Sequence, residues 1–274
     1  MPTIQILKKK LRGIRSTQKL SKAMKTASAA KISQLNTIYN AYSQYGRRCK
    51  TFYDKYKKDL EEILPPADFE APDCVVIMTS NKGMCGGFNS ELLSFAENEL
   101  KNTEKPYIVI ICGKQAISYF SEKHIEYEKS FVFDDVPCYE ECFGLLREIF
   151  EMRASGKICS VRVIYQKYVN VMIQTPTVLE LFSGGSEEDS NESVVFIPNR
   201  KTVTANMAEK IFRSVIYEFV LETALGAQAA TLITMRSAYD TATEYCEQLE
   251  SEINRKRQSE VTEDVIETSS EHEE

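Results

Sequence analysis

Residues 225–253 read LGAQAATLITMRSAYDTATEYCEQLESEI. Within them Leu225, Gln228, Leu232, Met235, Tyr239, Ala242, Cys246, Leu249 and Ile253 recur at alternating spacings of three and four. That alternation is a heptad seam, a narrow stripe of one helix that packs on another. No proline follows Pro198, and Gly226 is the one glycine inside the seam. Thr202 or Thr204 is the expected cap where this helix starts.

The other end of the chain carries a matching pattern. No proline lies between Pro2 and Pro65, and only Gly13 and Gly46 weaken helix propensity. Ile4, Leu7, Leu11 and Ile14 open the stripe; Leu35, Ile38, Tyr42, Tyr45, Cys49, Phe52 and Tyr56 resume it. A continuous helix of about 60 residues reaches roughly 90 Å at 1.5 Å per residue. Core helices are usually three or four turns long, so this one is built for something else. The two seams are expected to pair, and to run antiparallel if the middle brings the chain back.

The middle has another texture. CVVIMTS (74–80), YIVIICG (107–113), FVF (131–133), VRVIYQKYV (161–169) and TVLELF (177–182) read as strands, mostly buried on both faces. Segments near 89–101, 113–123 and 139–155 read as helices, and VVFI (194–197) as a last strand. Strand–helix alternation predicts a mainly parallel sheet. Three segments follow: an N-terminal coiled-coil helix over 1–64, an α/β domain over 65–198, and a C-terminal coiled-coil helix with an acidic tail over 199–274.

Charge is segregated. From Met1 to Tyr53 there are twelve Lys or Arg and no Asp or Glu; from Ser259 to Glu274 there are seven acidic residues and no Lys or Arg. Such asymmetry points to a partner surface of opposite sign. No apolar run approaches the roughly 18–20 residues that span a bilayer. The N-terminus lacks the apolar core of a secretory signal and the Arg- and Ser-rich pattern of a transit peptide. The expectation is a bacterial cytoplasmic origin without membrane insertion.

Chemistry-bearing motifs are sparse. Eight cysteines form no CxxC pair, and most sit in apolar runs where Cys behaves as a small hydrophobe. No metal or cofactor is expected. The only histidines are His124 and His272; His124 lies among charged residues, so no catalytic triad is expected. Asp134 and Asp135 read as turn residues. SNKGMCGGFNS (80–90) joins a strand to a helix, but it has neither GxxxxGK[ST] nor GxGxxG. A tight crossover through Gly83, Gly86 and Gly87 is favoured over a phosphate cradle. In SKAMKTASAAK (21–31) close helix approach would account for Ala23, Ala27 and Ala30.

Four segments together resemble one family. IRSTQKLSKAMKTASAAKI (14–32) is similar to the N-terminal signature of the γ subunits of F-type ATP synthases. TSNKGMCGGFNSEL (79–92) is similar to their strand–turn–helix motif, and QKYVNVMIQTPTVLELF (166–182) to their later strand pair. INRKRQSEVTEDV (253–265) is similar to their C-terminal shaft signature. The resemblance implies an α/β fold: an antiparallel coiled coil of long N- and C-terminal helices with an inserted Rossmann-like domain. It implies a rotor without chemistry of its own, turning inside a ring of α and β subunits and carried on a c-ring with an ε subunit. The location implied is peripheral, on the cytoplasmic face of a bacterial membrane.

By position, the resemblance assigns Met24 to coupling and Arg257, Gln258 and Thr262 to a catch loop on β. It also sets Lys19, Lys22 and Lys25 against acidic loops on β, and Phe196 and Pro198 near the c-ring. Glu260 stands where that family usually has an apolar residue. On charge alone, a nucleic-acid-binding α/β protein with a basic coiled-coil arm is the alternative. A dinucleotide enzyme would need a phosphate loop that the sequence lacks.

Overall fold

A computed structural model describes residues 3–63, 70–181 and 196–270. Its sheet is built from β1 (Asp73–Met78), β2 (Tyr107–Cys112), β3 (Lys129–Phe131), β4 (Val161–Tyr168) and β5 (Gln174–Leu181), in the order β3-β2-β1-β4-β5. The first four strands are parallel and β5 runs antiparallel to β4. Helices α2 (Phe88–Lys101), α3 (Lys114–Glu122) and α4 (Cys142–Ala154) supply the crossovers.

The central strands β1 and β2 are mostly apolar because both faces are covered. Val75, Ile77, Val109 and Ile111 point to one side and pack with Leu92 and Leu93 of α2 and Ala116 and Phe120 of α3. The alternate residues, Cys74, Val76, Met78, Ile110 and Cys112, meet Leu145 and Ile149 of α4. On this second face they also meet the two terminal helices, α1 (Ile4–Ile63) and α5 (Arg200–Ser270), through Leu35, Tyr53, Phe212 and Val220.

One backbone contact holds the strand ends close. Gly113 has φ +93°, and a Cβ there would lie 2.2 Å from the Thr79 carbonyl oxygen. Only glycine satisfies both the conformation and the space.

Several expectations need correcting. The third strand is Lys129–Phe131, not 131–133. Pairing starts early because the Glu128 amide already donates to the Val109 carbonyl at 2.8 Å. Phe133 has left the sheet, and its carbonyl accepts from the Asn81 amide. The last strand read over 194–197 is not seen at Phe196 or Ile197, which lie in a loop; residues 194 and 195 fall outside the described residues. The helix read over 139–155 opens with a 3₁₀ turn at Tyr139–Glu141. The cap of α5 is Asn199, whose side-chain oxygen accepts the Thr202 amide at 2.8 Å. Thr204 instead donates back to the Arg200 carbonyl.

The chain forms two compact units, Met1–Ser28 with Thr231–Glu274, and Ala29–Ala230. In the first, Arg15 meets Glu250, Gln18 meets Thr243, and Lys25 lies over Tyr239. Numbers rise on one helix as they fall on the other, so the pair is antiparallel. Leu7 and Leu11 close against Cys246, Leu249 and Ile253. The small residues at the contact are Ser21 and Ser28, both buried, and seven positions apart. Ala23, Ala27 and Ala30 are exposed, so the close-approach role given to them does not hold.

In the second unit Tyr42 meets Ser214, Tyr53 packs on Phe212, and Asp59 pairs with Arg200, again antiparallel. Helix α1 kinks at Tyr56 (φ −119°, ψ 26°). Helix α5 is buried nearly all round from Ile211 to Leu225, as expected where it meets helices on one side and a sheet on the other. Tyr42, Tyr139 and Tyr217 form an edge-on set, with centroids 5.0 Å apart for Tyr42–Tyr217 and 5.4 Å for Tyr139–Tyr217. The Tyr217 hydroxyl donates to the Pro137 carbonyl, and the Tyr42 hydroxyl to the Ser214 carbonyl.

Candidate functional site

The glycine-rich turn decides between phosphate binding and plain structure. A phosphate would need free amides at the start of a helix. At α2, which the turn opens, the Phe88 amide donates to the Cys85 carbonyl at 3.3 Å, and the cap, Gly87, brings no side chain. At the neighbouring start of α3 the amides are taken: Ala116 donates to the Thr79 hydroxyl at 2.9 Å, Gln115 to the Ser80 carbonyl at 3.2 Å, and Lys114 to the Asn81 side chain at 3.3 Å. Ahead of α2, the Ser80 amide donates to the side-chain oxygen of Asn89 at 3.0 Å. Gly86 takes φ +60°, and so does Met84 at +62°. The turn is braced from within by Asn89, whose side-chain amide also donates to the Ser80 hydroxyl at 2.8 Å, in keeping with a structural crossover.

Lys82 is used structurally. Together with Lys31 of α1 it pairs with Asp135. Burial opposes ionisation of Asp135, but the two ammonium groups outweigh it and hold its pKa below the usual value. This clasp ties α1 to two loops of the sheet. Nothing in the sequence marked it, because Lys31 and Asp135 are 104 positions apart.

The cysteines behave as hydrophobes. Seven are buried and free, and only Cys138 is exposed. Burial pushes Cys74 and Cys142 up to about 12, so both stay thiols. Among the described residues no three His, Cys, Asp or Glu side chains gather to hold a metal. His124 sits exposed at the end of α3.

What remains are surfaces. On α1, Lys19 and Lys22 are exposed, three residues apart and so on one face. Met24 is half-buried. Lys25 is not a free cation: its ammonium lies 4.8 Å from the centre of the Tyr239 ring. Sequence reasoning missed this, although Tyr239 was in the seam. On α5, Arg257, Gln258 and Thr262 are exposed. The Thr262 hydroxyl donates to the Gln258 carbonyl at 2.8 Å, one turn back along the helix. Glu260 is exposed beside them.

Around Phe196, in the second unit, the surface is different. Phe196 packs edge-on to Tyr56 at 5.4 Å, and the Arg200 guanidinium lies over both rings. Pro198 is exposed and follows a cis bond. Among the described residues no helix is long and apolar enough to cross a membrane.

Long terminal helices that pair antiparallel, together with a mainly parallel sheet covered on both faces, define a coiled-coil and α/β class of protein. The chain matches the ATP synthase family over residues 3–271 and belongs to it. The ATP synthase gamma chain of Pelotomaculum thermopropionicum is 25% identical over 97% of both chains. That of Leptospira biflexa is 27% identical, also over 97% of both.

Among solved structures, a chain of the Euglena gracilis mitochondrial ATP synthase OSCP/F1/c-ring assembly superposes with a TM-score of 0.71. It is 16% identical, and the match covers 96% of this chain and 91% of that one. A chain of the rotor of the same enzyme gives 0.68 at 14% identity, covering 94% and 98%. These likenesses carry the fold. The nucleic-acid alternative gains no support from any of these relatives.

Proposed function

We propose that this chain is the γ-type central-stalk rotor of an F-type ATP synthase, coupling rotation of a c-ring to successive changes in the catalytic β subunits. The observation that carries the reading is the family match along both terminal helices and the base together. The chain itself supplies no chemistry in this reading; its work is to present different faces to three equivalent sites. Its partners are the α and β subunits, an ε subunit and the c-ring, at the cytoplasmic face of a bacterial membrane.

Within that reading, Lys19 and Lys22 meet acidic loops on β, and Met24 lies where the helix passes them. The absence of any carboxylate before Asp54 removes like-charge repulsion from that encounter. Arg257, Gln258 and Thr262 meet the catch loop. Phe196 and Pro198 face the c-ring, where an exposed proline and a half-buried ring offer a rigid contact.

The test is co-purification of the tagged chain from its host. Recovery of α and β subunits with Mg-ATPase activity supports the reading; recovery alone or with nucleic acid overturns it. Arg257→Ala with Gln258→Ala should lower ATP-driven ion pumping severalfold. The chain's melting temperature should stay unchanged, because both side chains are exposed.

A further inference from the structure

The last third of α1 carries a feature that the stalk reading does not use. Spacings of four lay Arg47, Thr51 and Lys55 along one ridge and Arg48, Phe52 and Tyr56 along the next. These six residues line a groove. The lining has three cations and no carboxylate. Both arginines are exposed. Arg47 commits its Nε to the Ser43 carbonyl at 3.1 Å, leaving its terminal nitrogens open for an anion.

The floor is aromatic. Phe52 and Tyr56 stack with centroids 4.5 Å apart. Tyr56 leads on to Phe196, under Arg200. Next in the chain stands Ile197, 82% exposed, the most exposed large apolar side chain among the described residues. Cations, ring faces and an open aliphatic corner therefore adjoin one another.

We propose that this groove binds the headgroup phosphate of an anionic phospholipid. The arginines take the phosphate, while the rings and Ile197 lie against the glycerol and upper acyl region. Free phosphate needs only the cations, and leaves the aromatic floor of Phe52 and Tyr56 without a role. Placing the groove at a membrane face rests on the stalk reading; the binding itself does not.

The experiment pellets the full-length chain with phosphatidylcholine vesicles, with and without phosphatidylglycerol. Binding is expected only with the anionic lipid. Arg47→Gln with Arg48→Gln should weaken it about tenfold or more, while Lys8→Gln with Lys9→Gln, the same charge change elsewhere on the helix, costs less than about threefold. Circular dichroism checks the fold, and Arg48→Gln alone is read if the double variant is unstable.

Equal losses in the two double variants, or equal binding to neutral vesicles, overturn the proposal. So does displacement by inorganic phosphate, which would make this a free-anion site. No vesicle binding, combined with loss of c-ring retention in the arginine variant, would mean an acidic protein partner instead. Recovery of α and β subunits with the chain is scored separately, so failure of the stalk reading is distinguishable from failure of the groove.

Discussion

Helix α5 lives two lives. From Ile211 to Leu225 nearly every side chain is buried, whereas from Met235 to Ile253 only the seam is: Met235, Ala242, Cys246, Leu249 and Ile253. The first stretch is apolar on all sides and the second on one. Composition, not helix propensity, separates a root from a shaft. A helix with a single narrow seam leaves most of its surface free to meet other proteins, at the expense of its own stability.

The sharpest way to break this comparison is truncation in both stretches. Phe212→Ala should cost about 3–5 kcal/mol, since its ring is fully buried against Tyr53 and Phe150. Leu249→Ala should cost about 2 kcal/mol, the low end for leucine, in a much smaller cluster. Urea titration of both variants reads the difference. Equal costs would mean that the shaft is as tightly packed as the root.

Gly113→Ala comes next. A positive φ and a Cβ 2.2 Å from the Thr79 oxygen together should cost about 2–3 kcal/mol. The same change at Gly13, in the shaft, meets nothing within 4 Å. It should stabilise by up to about 1 kcal/mol, as alanine replaces glycine inside a helix. Thermal melts distinguish the two signs.

Much of this contrast was legible in the sequence. The seam from Leu225 to Ile253 follows a period that only one helical face satisfies, and seven of its nine positions are buried. Strands β1 and β2 announced themselves as β-branched runs. Where reading failed, the cause was tertiary. Tyr45 fits the seam yet is 44% exposed, while Tyr53, off the period, is buried against Phe212. In the root, neighbours on several sides replace the single partner that a heptad assumes. The Asp135 clasp and the Lys25–Tyr239 contact depend on residues brought together by folding, for which no local spacing exists. The contact surfaces proposed above come only through family resemblance, because exposed Lys, Arg and Gln look alike to any periodicity.

Glu222 sharpens the comparison by titration. It is buried in the root with one carboxylate oxygen unpartnered. Burial, then the charge of Glu218, push its pKa up to about 7, against the Tyr168 amide, Lys50 and Lys167, which pull it down. Tyr39 and Tyr165 also face it. The folded state therefore holds a proton more tightly than the unfolded one. Its penalty is absent below about pH 4.5, grows as the pH rises toward 7, and is complete above that. Glu222→Gln should leave stability unchanged at acid pH and raise it by up to about 3 kcal/mol at pH 8, seen as a flatter pH profile of the urea midpoint.

The smallest effect belongs to the shaft. Arg15 and Glu250 pair at 2.6 Å, but both are about half exposed. Glu250→Gln should change stability by less than about 1 kcal/mol, with any difference fading in salt. A larger, salt-resistant loss would mean that the shaft relies on ionic contacts more than its seam suggests.

The tyrosine set around Tyr217 bears on torsion. Rings that meet edge-on at nearly right angles act like a key in a slot. Twisting α5 by one residue, about 100° of helix rotation, would pull Tyr217 out from between Tyr42 and Tyr139 and strand its hydroxyl away from Pro137. A circular, purely aliphatic socket would let the helix slip. This one does not, so a turning moment applied to α1 and the Tyr139 turn is carried into α5 instead of being lost as slippage between them.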